Sequence, residues 1–408
     1  MRVCMLTTSY PRYEGDFAGI FIHNLAKELV KNDVEVNIVA PHYIDTKDYE
    51  IIDGIHIHRF QYLYPSNLQT LAYFPGIPEN IKTIKGKIQL PFFILSMIKK
   101  MIEVVKKYDI DVINAHWAIP PGFIATFTKK IHKKPVIIKL YGAELFPFIG
   151  KNDVIAKMSK WLIKYALNSA EKVVGNSDAT CNAGKEISGR EDIEILPDGV
   201  DTETFNPNVN GDGIIKRHNL EGYFMIFSSG RMVERKGFIY LIEAMSYVLK
   251  KTPKTKLIIG GDGPEREKLE NEVKKLKIEN NVIFPGFISD EDFPKYMKSA
   301  DVFVLPSIVD SKGDTEGLGL VLAEAMACGT PVIGSNIGGI TEIIDNMKNG
   351  LLTQSENSKD IADKIIKLLS NKNLRQKFSE NGLKTVQERF SWDIVTKKFC
   401  EVYEEVLV

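Results

Sequence analysis

Glu316-Gly-Leu-Gly-Leu-Val-Leu-Ala-Glu324 sets two carboxylates, two glycines and the apolar start of a helix in one short run. Gly317 and Gly319 leave backbone N–H groups uncovered where the helix begins. Uncovered N–H groups at the positive end of a helix dipole form a site for phosphate. Glu324 falls about a turn further in, placed to accept two hydrogen bonds from a diol such as ribose. Gly329 and Pro331 stop the helix and open a strand, Pro331-Val-Ile-Gly. The competing reading is a buried helix capped by glycines, with Glu324 paired to a lysine.

Further loop signals follow the strands of the same half. Gly230-Arg-Met-Val-Glu-Arg-Lys236-Gly comes directly after a strand, and ligands of open parallel sheets sit beyond the carboxyl ends of strands. Arg231 and Lys236 are spaced to clamp a diphosphate, each charge-assisted bond contributing roughly 1.5–3 kcal/mol; otherwise they are surface cations on a solvated turn. Gly260-Gly261-Asp-Gly-Pro, Pro285-Gly-Phe-Ile288 and Pro306-Ser end the next three strands. Four consecutive strands with such ends are hard to explain as tight turns alone. In the first half, Glu14-Gly-Asp-Phe-Ala-Gly19 leads into a helix, and Gly19 would let the backbone approach phosphates from an opposite wall. His116, beside Trp117, and Tyr141-Gly-Ala-Glu144 sit at strand ends. A histidine next to a tryptophan is more often structural, and Glu144 reads equally as a cleft carboxylate or as an ordinary acid at a helix start.

The elements that must position these residues repeat a strand–helix pattern. Strands fit Val3 to Thr7, 34–39, 50–60, 112–115, 136–140, 172–174 and 193–196, with helices through Phe21, Leu25 and Leu29, from Pro91 to Lys107, and at 154–168. Residues 61–90 read as irregular and aromatic, with Tyr62, Tyr64, Tyr73, Phe74 and prolines 65, 75 and 78. After Pro197-Asp-Gly-Val-Asp201 and the polar run 206–212 the pattern restarts, with strands at 223–228, 256–259, 281–284, 302–305 and 331–333 and helices at 237–250, 264–276, 291–298 and 359–370. This is two successive α/β halves, each with a parallel sheet. From Ser391 on, Trp392, Val395, Phe399, Val402 and Val406 share one helical face.

Composition excludes several classes. A chain of 408 residues suits two domains, and its 53 Lys plus Arg balance 53 Asp plus Glu, so no global field attracts nucleic acid. The four cysteines are scattered without a C-x-x-C, which suits a reducing cytoplasm and no zinc site. The opening Met1-Arg-Val-Cys-Met-Leu is a strand rather than a signal peptide, and no apolar run approaches the ~20 residues of a membrane span. There is no G-x-x-x-x-G-K-[ST] and no G-x-G-x-x-G after the first strand. The metal readings of His56 with His58, Asp109-Ile-Asp111 and Asp290-Glu-Asp292 are weak. Ser289 before Asp292 reads as a capping box.

Gly230-Arg231…Lys236-Gly, Gly261-Asp-Gly-Pro-Glu-Arg266, Pro306-Ser and the Glu316/Glu324 pair resemble the retaining family-4 glycosyltransferases of the GT-B fold. So do Thr8-Ser-Tyr-Pro…Gly-Asp-Phe-Ala-Gly-Ile-Phe, Gly175-Asn-Ser177, Pro197-Asp-Gly-Val-Asp201, Gly338-Gly-Ile-Thr-Glu342 and Asn349-Gly-Leu-Leu, so that the likeness spans nearly the whole chain. The resemblance implies an α/β GT-B fold, two Rossmann-like domains facing each other across a cleft. It divides the chain into 1–205, which binds the acceptor, and 206–387, which binds the nucleotide sugar, with a helix at about 388–408 packing back on the first. It implies that Arg231 and Lys236 contact the donor diphosphate with Gly230, Gly261 and the amides of Leu318 to Leu320, that Glu324 holds the ribose, that Glu316 faces the transferred sugar, and that the loop Gly286 to Ile288 meets the base. The sequence departs from the family where many members carry a cleft histidine in a His-Gly-x-Asp/Glu turn: here Tyr141 stands there, so Tyr141 or His116 takes that role.

The expected activity is hexosyl transfer with retention from a nucleotide sugar, UDP-linked as the first expectation, to a glycan, lipid-linked or small-molecule acceptor, without a metal or other cofactor. A sugar-nucleotide epimerase, which would consume donor without acceptor, and a binding-only relative are the alternatives. The expected location is the cytoplasm. The mix of aromatics with lysines 82, 85, 87, 99 and 100 in residues 60–100 reads by default as a core helix with a solvated lysine face, and alternatively as a peripheral contact with the inner membrane surface.

Overall fold

The computed structural model describes residues 1–73, 76–311 and 313–407. Phe74 and Pro75 of the aromatic stretch, and Val408, lie outside the described residues. The chain forms two compact units, 1–198 with 395–408, and 199–394. The expected boundaries, 205/206 and about 388, fall inside the second unit.

The first unit is built on an eight-stranded sheet in the order β3-β4-β2-β1-β5-β6-β7-β8. Its strands are β1 (Arg2–Leu6), β2 (Glu35–Pro41), β3 (Tyr49–Ile52), β4 (Ile55–Phe60), β5 (Val112–His116), β6 (Val136–Leu140), β7 (Lys172–Gly175) and β8 (Ile193–Ile195). All neighbours are parallel except β3 with β4. Residues 50–60 are therefore not one strand. Asp53 and Gly54 both take positive φ, 52° and 76°, and turn the chain into a hairpin, as a two-residue Asp-Gly connection favours. His56 and His58 do share a face, but Tyr49 stacks on both rings, and the Nε2 of His58 bonds Asn37 at 2.9 Å. Asp109 and Asp111 both pair with Arg2.

Helix Ile84–Lys107 begins seven positions before the expected start at Pro91. Thr83 accepts the Gly86 N–H at 3.0 Å and caps it, while Phe93, Met97, Met101 and Val104 are buried in the core of the first unit. That burial outweighs the single backbone bond that Pro91 removes. Helix Asp178–Ser188, capped by Ser177, was not apparent from periodicity.

The second unit carries a six-stranded, fully parallel sheet in the order β11-β10-β9-β12-β13-β14. These are β9 (Phe224–Ser229), β10 (Thr255–Gly260), β11 (Val282–Gly286), β12 (Val302–Leu305), β13 (Val332–Ser335) and β14 (Gly350–Thr353). Two apolar clusters of this unit meet in the sheet, Met225 and Phe227 belonging to one and Ile226 to the other, the alternation of a strand covered on both faces.

The terminal helix Trp392–Glu405 buries Val395, Phe399 and Tyr403. Tyr403 donates its hydroxyl to Asn114 on β5 at 3.0 Å, and Glu405 pairs with Lys172 at 2.8 Å. Residues 395–408 thus complete the first unit after the second has been traversed. Phe399→Ala should lower the stability of that unit by about 3–5 kcal/mol, read as a lower urea midpoint; an unchanged midpoint would show that the helix is dispensable.

Candidate functional site

In the second unit the strand order reverses between β9 and β12, and the carboxyl ends of the strands at such a reversal are where open parallel sheets take their ligands. β9 runs into Gly230, exposed Arg231 and the short turn Glu234–Lys236. β12 runs into Pro306, Ser307 and the loop that ends at Glu316. The two loops meet through charge. Lys236 Nζ lies 2.6 Å from Glu316 Oε2, the Ser307 hydroxyl donates to the same oxygen at 3.1 Å, and an Arg235 guanidinium nitrogen stands 3.5 Å away. Burial by itself would raise the Glu316 carboxyl. The Lys236 and Arg235 cations, with the bonds from Lys236 and Ser307, outweigh it and hold the group below its ordinary value.

The neighbouring strand ends are laced to this point. Gly230 N–H donates to Gly260 at 3.1 Å, Gly261 N–H to Gly286 at 2.8 Å and Met232 N–H to Asp262 at 2.8 Å. Ile288 packs against Gly260, where a β-carbon would stand 2.5 Å from its methyl. Asp292 pairs with Arg217, and its N–H reaches Ser289 at 3.3 Å, which makes this acidic string a helix start.

After Glu316 the chain passes through Gly317, Leu318, Gly319 and Leu320 into helix Val321–Ala327. Gly319 takes φ +78°, which a side chain would disfavour. Gly338 and Gly339 lie against the Glu316 and Gly317 carbonyls, where β-carbons would come within 2.4 and 2.2 Å. Among the described residues, no hydrogen bond occupies the N–H groups of residues 317–320. Glu324 sits one turn along the helix, with no cation paired to it among the described residues. Burial and, second, the Asp290 charge raise its carboxyl to about 7. The lysine-paired reading of Glu324 is thereby removed.

In the first unit the sheet reverses at β1, and Gly19, His116 and Tyr141 gather beyond β1, β5 and β6. Gly19 takes φ +68° at the head of helix Ile20–Lys31, with the Ser9 carbonyl 2.3 Å from where a β-carbon would be. Phe21 of that helix contacts the Tyr141 ring at 4.7 Å, and Trp117 contacts it at 5.4 Å. His116 is fully buried, its Nδ1 2.7 Å from the Tyr141 hydroxyl and its Nε2 without a partner among the described residues. Burial, then the Lys139 charge, lowers its pKa to about 3, so the ring is neutral. Tyr141 keeps part of its surface exposed, but its phenol group is enclosed, and that burial pushes its pKa well up and keeps it protonated. Glu144 accepts the Tyr141 N–H at 3.2 Å, its other oxygen has no hydrogen-bond partner among the described residues, and burial raises it to about 7.

Pattern reading missed two contributors. Arg235, a neighbour of Lys236 in an ordinary basic run, reaches Glu316. Asp198, read only as part of a boundary turn, pairs with buried Lys139 at 2.9 Å, and the Lys139 ammonium stands 5.5 Å from the Tyr141 ring centre. Residue spacing carries no signal for either contact.

Comparison with known proteins gives consistent matches. Residues 212–385 match the family described as Glycosyl transferases group 1, and residues 18–204 match Glycosyltransferase Family 4. The chain is 30% identical to an uncharacterized glycosyltransferase of Methanocaldococcus jannaschii, over 99% of this chain and 98% of that protein. It is 31% identical, over 51% of this chain and 55% of the relative, to a GDP-mannose-dependent alpha-(1-6)-phosphatidylinositol monomannoside mannosyltransferase of Mycobacterium tuberculosis. Among solved structures, Anabaena HepE in complex with UDP superposes with a TM-score of 0.76 at 19% identity, covering 99% of this chain and 100% of that one.

A raised carboxyl gives a signed expectation for Glu144. Its stabilising contribution is complete below about 4.5, the ordinary value, and is lost as pH rises through about 7. Glu144→Gln keeps the acceptor for the Tyr141 N–H without the charge. Its melting temperature should therefore gain on the parent's between pH 5 and pH 8; a constant difference would show that Glu144 carries no burial cost.

Proposed function

Since the chain belongs to the family-4 glycosyltransferases of the GT-B fold, we propose that it transfers a hexosyl group from a nucleotide sugar to a hydroxyl acceptor with retention and without a metal. The observation that carries this reading is the run of N–H groups at 317–320 that find no acceptor among the described residues, directly after the carboxylate that Lys236 reaches. Such a run beside fixed cations is suited to a diphosphate and to the charge that grows on it as the glycosidic bond breaks.

In this reading Arg231, Lys236 and the amides of residues 317–320 hold the diphosphate of the donor. Gly230 and Gly261 let the ligand approach the strand ends, Glu324 accepts the ribose hydroxyls, and the backbone at Gly286 to Ile288 meets the base. Lys236 leans toward Glu316 in the present conformation, and an arriving diphosphate competes for that cation. Glu316 then faces the sugar. The bond from the anomeric carbon to the phosphate oxygen breaks first and leaves oxocarbenium character. The acceptor oxygen forms its bond on the same face, and its proton passes to the departing phosphate oxygen.

We assign the first unit to the acceptor, a carbohydrate or a lipid-linked glycan. With His116 in its Nδ1–H tautomer the ring donates to the Tyr141 oxygen, which frees the phenol proton for a sugar hydroxyl. Tyr141 would then be the contact, with His116 behind it as a positioning residue. The relatives divide between a UDP complex and a GDP-mannose-dependent enzyme. UDP-sugars are the first donors to try and GDP-sugars the second.

A thermal-shift screen of nucleotide sugars, followed by assays of nucleotide release with and without acceptors, tests the activity. Release that needs an acceptor supports transfer; donor consumed without acceptor indicates an epimerase; binding without release indicates a binding protein. Arg231→Ala removes an exposed side chain, so the fold should survive while nucleotide affinity falls about 10- to 150-fold, the equivalent of roughly 1.5–3 kcal/mol. Undiminished affinity would take Arg231 out of the site. Turnover should be insensitive to EDTA; loss of activity restored by manganese would refute the metal-free route.

A further inference from the structure

Among the described residues, large apolar side chains are exposed very unevenly along the chain: twenty-two belong to the first unit and five to the second. Most of the helical ones cluster on one side of the sheet. The connections β4 to β5, β5 to β6 and β6 to β7 all step in the same direction along the strand order, and right-handed crossovers place their helices on a single face. These are Ile84–Lys107, Phe123–Phe127 with Lys129–His132, and Val154–Ser169.

Helix Val154–Ser169 is apolar on two opposite faces. Ala156, Ile163, Ala166 and Leu167 are buried. At the complementary spacing 154, 158, 161 and 165 stand Val154, Met158, Trp161 and Tyr165, with Val154 82% and Trp161 62% exposed. The outer stripe continues onto the adjacent helix through ring contacts: Trp161 to Tyr165 at 6.1 Å, Tyr165 to Phe123 at 5.6 Å and Phe123 to Phe127 at 5.5 Å. Helix Ile84–Lys107 presents a second outward stripe, in which Ile84 is 78% and Leu95 64% exposed.

Charge decides what covers this face. The segments 84–102, 123–135 and 154–169 carry four, four and three lysines and not one Asp or Glu, in a chain whose charges otherwise balance. Three of these lysines find acids on their flanks: Lys100 with Glu103, Lys129 with Glu171 and Lys134 with Asp109. The others have no carboxylate partner among the described residues. A second copy of this chain would set the same cations against each other, and a protein partner would need an acidic groove shaped to a convex ridge. An anionic bilayer surface satisfies both demands, because its headgroups neutralise lysines while indole, phenyl and aliphatic groups enter the boundary of the acyl region.

We propose that this lysine-flanked ridge of Val154, Met158, Trp161, Tyr165 and Phe127 docks the protein peripherally on an anionic membrane. The proposal does not depend on the donor site or on the identity of the acceptor.

Flotation of the full chain with vesicles of phosphatidylcholine and phosphatidylglycerol at 7:3, compared with phosphatidylcholine alone, tests it. The protein should float with the mixed vesicles at low salt, and binding should weaken as salt rises. Met158→Glu with Trp161→Glu should abolish flotation. Lys157→Gln and Lys164→Gln should lower partitioning roughly fivefold for each charge removed. The melting temperature, and any nucleotide-induced shift in it, should be unchanged in these variants, since every altered side chain lies on the outer face. Failure of the parent to float, or undiminished binding by the Glu variants, overturns the proposal. So does a concentration-dependent dimer in sedimentation velocity that the Glu substitutions dissolve, which would make the ridge a self-association surface.

Discussion

The buried contact between Lys236 and Glu316 joins the loops beyond β9 and β12 where the strand order of the second sheet reverses. A carboxylate taken out of water must be matched by a cation and by hydrogen bonds, and here Lys236, Arg235 and Ser307 supply them. Satisfying that group draws three loop segments together: the turn after β9, the Pro306-Ser307 corner and the Gly317–Leu320 run. The run follows that pair, and its N–H groups find no acceptor among the described residues. One side of the junction is a neutralised pair, and the other is a set of backbone donors. This asymmetry makes the place receptive to an anion.

The first unit solves a similar problem with neutral groups. His116 is kept uncharged by burial, Tyr141 is kept protonated, and aromatic rings from helix Ile20–Lys31 and from Trp117 hold the phenol in place. A tyrosine at this turn presents a hydroxyl and adds no charge. In the proposed reading, the contrast with the cationic strand ends of the second unit divides the labour between an anionic donor and a hydroxyl-bearing acceptor.

Much of this was legible in advance. Gly230 to Gly237, Gly260 to Pro264 and Glu316 to Glu324 stand out because strand ends that must admit a ligand need glycines and charges of defined spacing, and local spacing survives in the chain. The parallel strands were readable from their continuous apolar runs. The hairpin at 49–60 was misread as a single strand because the two-residue Asp53-Gly54 turn barely interrupts the alternation. Helix Ile84–Lys107 was started too late because Pro91 is a strong local stop signal that only packing of Phe93, Met97 and Met101 against the core overrules.

Local spacing, glycine placement and apolar periodicity operate within a few residues of each other, and so the α/β class, the family likeness and the candidate donor residues follow from the order of amino acids alone. Which groups touch across long separations does not. That Lys236 would meet Glu316, that His116 would vanish behind Tyr141, and that Glu324 would pair with no cation among the described residues depend on the lateral order of strands in each sheet. Strand order is settled by the burial of both sheet faces and by the handedness of the crossovers. The outward ridge of helix Val154–Ser169 belongs to the same class: its two apolar stripes are equivalent in the sequence, and only docking on the sheet determines which one faces solvent.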